Sequence, residues 1–399
     1  MTPQQRFLLL LVLVGALAVA LGLISRRARM LPYPIALAAA GVVFGLLPGG
    51  QFPRVDASVI LLAFVPGLVF QAALTLDLQE LLRRRWAVAL LATFGVAMTV
   101  ILIGALTHLS LGFSWASGIL LGAILAATDP IAVVTLLRRL KAPAGLAAIL
   151  EGESLFNDGT GVAVFSAVLA TILSGVPSFG GASIRFIEIT LGGAAIGLLI
   201  GFVGLTLLRF AEDAPLEILA TLVIAYGSYL AADVLHFSGI VAVVVAGIVV
   251  ARYGEQIGRL HGSQLLGFWN LLAFVLNAVL FILVGAALPA WTLLPVAGTV
   301  VIAFLIMLLT RAVPVYGLLA LASYRSPAIP WRWRHVTFWA GMRGALSVVW
   351  PVASPARDRP GRQASMPVLR CRCQAHRKAR PGTPPKPGPG TEGCRVCQG

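Results

Sequence analysis

Two stretches of an otherwise apolar chain carry residue types that can hold a proton or a small cation. LLGAILAATDPIAVVTLLRRL, Leu120 to Leu140, sets Thr128 and Asp129 directly before Pro130. GLAAILEGESLFNDGTGVAVFSAVLATIL, Gly145 to Leu173, carries Glu151, Glu153, Ser154, Asn157 and Asp158. A charge at the centre of a bilayer costs roughly 2.5 to 3.5 kcal/mol even on lenient scales, so such residues are functional candidates. Proline removes one N–H donor and leaves a carbonyl without its helical partner, which lipid tolerates only where protein or a water-filled cavity satisfies the group. Broken helices of this kind present backbone dipoles and carbonyls to ions at the midplane of secondary transporters. The plainer alternative is a proline kink with Asp129 capping the second half-helix.

Depth along the helices brings the two stretches together. Asp129 lies roughly 14 Å deeper than Arg138 at 1.5 Å per residue, and Asp158 lies roughly 20 Å in from Gly145 on the next, antiparallel helix. Both carboxylates are therefore expected near mid-membrane, facing one another. Helical spacing places Glu151, Ser154 and Asp158 on one face and Glu153 with Asn157 on an adjacent one. Glu153 needs a cation, since an unpaired buried carboxylate would sooner protonate, and Arg311 and Arg343 are the candidates. Asn277, Glu188, Asp233 and His108 read as packing or span-end residues.

The elements that must position these groups are membrane helices. The chain has 399 residues, 59% hydrophobic and 11% charged, with a mean hydropathy of +0.93, far from the soluble range. Apolar runs of about 17 to 25 residues fall near 7–24, 33–48, 57–75, 86–110, 115–137, 146–174, 184–208, 214–232, 236–252, 265–288, 295–321 and 335–350. They predict an all-α polytopic membrane protein of about twelve spans, the last incomplete. Lys and Arg concentrate after odd-numbered spans, at Arg26–Arg29, Arg83–Arg85, Arg138–Lys141, Arg252–Arg259 and Arg325–Arg334. By the positive-inside rule the N-terminus is outside.

The net charge of +15 is no nucleic-acid signal. Ten Lys or Arg against Asp358 and Glu392 lie beyond Pro351, giving that tail +8, and the rest is loop bias. Residues 351–399 are rich in Pro, Gly and Arg and lack periodicity, so they are expected to be disordered. Twelve spans would also place this basic tail outside, against the rule that orients the others. A shift of reading frame near codon 350 accounts for both features. Residues 1–350 then form the transmembrane domain. All four cysteines, Cys371, Cys373, Cys394 and Cys397, sit in the tail. The rival reading of them as a zinc site suffers from the C-x-C spacing of the first pair.

With these motifs assembled, residues 1 to about 349 resemble the monovalent cation/proton antiporters, in the sodium/proton exchanger branch that includes the bacterial NhaP type. The resemblance rests on ATDPIAVV at 127–134, EGESLFNDGTGVAVF at 151–165, FWNLLAFVLNAVLFILVG at 268–285, Arg311, and RWRHVTFWAGMRGALSVV at 332–349. It implies an inverted-repeat fold with discontinuous crossing helices, a core domain moving against a dimerisation domain, and a homodimer. It makes Asp158 the group that binds the transported Na+ or a proton, with Asn157, Asp129, Thr128 and Ser154 around it. It pairs Glu153 with Arg311 and sets Arg343 near the second helix crossing. Gln71 stands where relatives often carry a carboxylate, and relatives continue past the GMRG-like motif with further helix.

The function so implied is exchange of a monovalent cation, Na+ foremost, for protons across the cell membrane. It requires no covalent chemistry, resident cofactor or nucleic acid. Asn157 before Asp158 correlates in that family with electroneutral exchange. An intramembrane aspartyl protease also uses two carboxylates, but it expects G-x-G-D where this chain has NDGTG. A cation channel would need a selectivity filter, and no filter-like sequence is visible. A third alternative is a frameshifted relic that transports nothing.

Overall fold

The computed structural model describes residues 3–28, 33–46, 57–126, 133–134, 137, 140–173, 179–254, 262–287 and 297–341. The chain separates into two units, Met1–Ala353 and Ser354–Gly399. Every described residue lies in the first.

Every regular element among the described residues is a helix. In chain order they form α1 (Pro3–Ala28), α2 (Tyr33–Leu46), α3 (Ala57–Thr75), α4 (Leu78–Arg83), α5 (Arg85–Leu90), a π-helical turn (Leu91–Gly95), α6 (Val96–Leu111) and α7 (Trp115–Ala126). There follow α8 (Ala144–Leu173), α9 (Phe179–Phe210), α10 (Ala214–Val234), α11 (Gly239–Tyr253), α12 (Gly262–Ala287), α13 (Ala297–Ala322) and α14 (Trp331–Ala340). A described helix overlaps each expected span, α5 through α6 that of span 4; most of span 5 beyond Ala126 and span 12 beyond Gly341 lie outside the described residues. Among the described residues five helical stretches are long and apolar enough to cross a membrane by length and composition.

Local chemistry sets the boundaries. Gly112 ends α6 with φ +70°, a left-handed cap that a side chain would resist. Asp213 caps α10, its carboxylate accepting from the Leu216 amide at 3.0 Å. The last expected span, 335–350, begins four residues early, since α14 opens at Trp331 directly after Pro330. Hydropathy discounts Arg332 and Arg334. The backbone does not, because Arg332 points outward and Arg334 donates to the Ile329 carbonyl at 3.3 Å and the Ser323 hydroxyl at 3.2 Å.

The helices pack in two groups. In one, α2 lies along α12, α11 against α3 and α9, and α10 between α9 and α11. Fully buried Trp269 packs against Phe70 with ring centroids 4.8 Å apart and the rings tilted by 44°, and it donates its indole N–H to the Thr221 hydroxyl at 3.1 Å. The α2–α12 seam is close because it uses glycine: a Cβ on Gly41 would sit 2.3 Å from the Ile282 carbonyl, and one on Gly285 2.1 Å from that of Ala38. Small residues of this kind let membrane helices approach backbone to backbone. The second group joins α6 to α7, α8 to α7 and the π turn, and α13 to α6, the π turn and α14. Ala87, Leu91, Ile149, Val315, Leu319 and Ile329 form its buried apolar cluster.

Outer surfaces carry large apolar side chains. Ile184, Leu191, Leu199, Val203 and Leu216 are exposed on α9 and α10. Lipid solvates such a surface and water does not.

Candidate ion-binding site

α8 is a 30-residue helix that carries the polar stretch without a break, and its neighbour α7 is described as far as Ala126. Ala126 stands four residues before Pro130, a residue type with no N–H to donate at that spacing. The side-chain amide of Asn157 supplies that donor, Nδ2 to the Ala126 oxygen at 2.7 Å, and Asn157 is buried. The Ala126 carbonyl is thus met from the helix that carries the adjacent Asp158. Asp158 itself is half-buried, and Ser154, one turn earlier, is buried.

The turn after Asp158 is anchored differently. Thr160 donates to the carbonyl of Ala92 at 2.7 Å, with Asn157's own carbonyl at 3.2 Å. Ala92 belongs to the π-helical turn of span 4. Gly159 lies against Ile240 and Val241 of α11, where an added Cβ would come within 2.9 Å of Val241 Cγ2.

One turn earlier, Glu153 and Arg311 form a buried bidentate ion pair, Nη1 to Oε1 and Nη2 to Oε2 at 3.1 Å each. Glu153 is 4% exposed and Arg311 9%. The parallel geometry exploits the planar guanidinium, and each charge is met by the other. Arg311 reaches further, donating to the Thr337 carbonyl of α14 at 3.4 Å. Its guanidinium covers Gly341, where a Cβ would fall 1.8 Å from Nε. Arg311 therefore places positive charge at the C-terminal end of a ten-residue helix, where the helix dipole favours it.

Of the two candidates for Glu153, Arg311 is the partner. Thr128, Asp129 and Arg343 lie outside the described residues, as do the four cysteines. The structure brings Asn157, Ser154, Glu153 and Arg311 onto or against the Asp158 segment. Gln71 donates to Asn270 on α12 at 2.9 Å. Glu188 pairs at the surface with Arg185 at 2.8 Å, and His108 Nδ1 meets the Phe113 carbonyl at 2.6 Å, as span-end residues should.

Sequence reasoning passed over Thr160, Thr337 and Gly341, whose roles are contacts with backbone or guanidinium on other helices. It also passed over Glu217, fully buried in the first turn of α10. The signal for Glu217 was present in DAPLE, where Asp213 caps the helix and Pro215 fixes its start. The threonines gave no such signal.

The family model described as "Sodium/hydrogen exchanger, transmembrane" matches residues 10–369. The sodium/proton antiporter ApNhaP of Aphanothece halophytica is 35% identical over 353 residues, covering 87% of this chain and 67% of its own. The antiporter NhaP of Pseudomonas aeruginosa is 31% identical over 370 residues, covering 85% and 87%. Among solved structures, the sodium proton antiporter MjNhaP1 of Methanocaldococcus jannaschii at pH 8 superposes with a TM-score of 0.69 at 22% identity, over 87% of both chains.

Proposed function

Because this chain belongs to the sodium/hydrogen exchanger family, we propose that it exchanges Na+ for protons across the membrane at Asp158. The observation that carries the reading is the setting of Asp158. Next to it Asn157 donates to the Ala126 carbonyl, and one turn away Glu153 and Arg311 neutralise one another. Asp158, half-buried beside them, is the carboxylate that this reading makes the shared site.

A carboxylate there binds either a proton or a desolvated cation. Asn157, tied to backbone, contributes no charge, so one negative group serves both ions and exchange is one for one and electroneutral. Thr128, Asp129 and Ser154 supply oxygen ligands for Na+ in this reading, and Arg343 balances helix ends at the second crossing. Alternating access of the loaded site couples the two fluxes, with no covalent chemistry and no resident cofactor. The exchanging unit is residues 1–350, working as a homodimer in the cell membrane with its N-terminus outside.

The test is sodium-driven proton movement in proteoliposomes, followed with a pH-sensitive dye. Asp158→Asn abolishes it, while exchange in the parent is unchanged when the membrane potential is clamped. Normal exchange by Asp158→Asn would remove the assignment.

A further inference from the structure

Span 4 is irregular opposite the segment that carries Asp158. In an α-helix the Val96 amide would donate to Ala92; in the π-helical turn it donates to Leu91 and Thr93 instead. Ala92 is 2% exposed, so water does not reach it freely. Its carbonyl does not receive the Val96 amide, and the Thr160 hydroxyl donates to it at 2.7 Å. A buried backbone acceptor in a membrane protein requires such a partner.

This bond also orients the ion-binding turn. Successive residues of a helix are about 100° apart around its axis. Asn157 points to the end of α7 through Ala126, Gly159 to α11, and Thr160 to the π turn. Asp158 then lies in the sector between the end of α7 and α11. Asn157 alone gives a single pivot about which α8 could turn. Two bonds to two different helices fix its rotation.

We infer that Thr160 is a positioning residue for cation binding, holding Asp158 in that sector by tying α8 to the π-helical turn of span 4. The inference rests on the reading of Asp158 as the cation site. A purely structural tie would lower stability and leave the affinity of the folded protein unchanged. A positioning tie moves the affinity itself.

The measurement is equilibrium binding of radioactive Na+ to the purified full chain at alkaline pH, and its displacement by protons, alongside thermal unfolding. Thr160→Val keeps the shape and removes the donor; folded protein is expected to bind Na+ roughly tenfold more weakly, the scale of one hydrogen bond. Thr160→Ser keeps the donor and binds like the parent. Thr160→Cys, a weaker donor, falls between and decides the matter if the valine variant does not fold. Amide exchange across Leu91–Val96 rises in the valine variant. Parent-like affinity in folded Thr160→Val, or in Thr160→Cys where the valine variant is lost, overturns the inference while Asp158→Asn still abolishes binding. Binding retained by Asp158→Asn, or absent from the parent, overturns the cation-site reading itself.

Discussion

At the scale of single residues, the Asp158 segment carries a buried ion pair one turn before Asn157 and Asp158. Glu153 and Arg311 satisfy one another in a fork of two parallel bonds. Removing either one strands a buried charge, so Glu153→Gln and Arg311→Gln should each destabilise the protein by roughly 3 to 5 kcal/mol. The double replacement should recover much of that loss, because two buried neutral amides can bond to each other. Thermal or denaturant unfolding of the three variants measures the coupling. Strictly additive losses would contradict the pair.

Among elements, the irregular helices carry the arrangement. From α8, side chains one turn apart donate to the Ala126 carbonyl of α7 and the Ala92 carbonyl of the π turn of span 4. In α3, which carries Pro66, the Ala63 carbonyl accepts from the Tyr226 hydroxyl on α10 at 2.9 Å. At α14 the contact is between Arg311 and Gly341. Gly341 has an ordinary backbone conformation, φ −77° and ψ 0°, so its absent side chain serves space. Arg311 cannot move aside for a methyl group without loosening Glu153 and Thr337. Gly341→Ala should therefore cost about 1 to 3 kcal/mol, as overpacking does, read as a fall in unfolding temperature. Parent-like stability would mean that the guanidinium can be displaced freely.

For the whole molecule, the apolar shell and the basic loops define an orientation. The turn at Ser110–Ser114, without Lys or Arg, and the turn at Ser323–Pro330, beside Arg325, Arg332 and Arg334, belong to opposite ends of span 4 and span 11. Arg325 stacks 5.5 Å over Trp86 and Arg84 5.1 Å over Trp333, and Arg84 donates to the Pro327 carbonyl at 2.6 Å. Aromatic and basic side chains of this kind favour the membrane–water boundary. With the tail cysteines replaced by serine, Ser110→Cys should react with an impermeant thiol reagent from outside intact cells. Ala328→Cys should react only after the membrane is opened. The reverse pattern would invert the topology.

The sequence by itself determined the helical class, the approximate places of the helices and the segments that carry the polar residues. Hydropathy is a property of one strand against a uniform solvent, and lipid is such a solvent. It also reduced the partners of Glu153 to Arg311 and Arg343 on charge alone. It could not decide that Asn157 is committed to the Ala126 carbonyl, that span 4 shifts to π geometry at Leu91–Gly95, or that Thr160 and Gly341 matter. A cross-helix hydrogen bond depends on the rotation and register of two helices about their own axes. Those are fixed only when the glycine seams, proline breaks and ion pair are satisfied together. Tertiary packing therefore decided which polar groups are bound to backbone on other helices and which carboxylate is paired with Arg311.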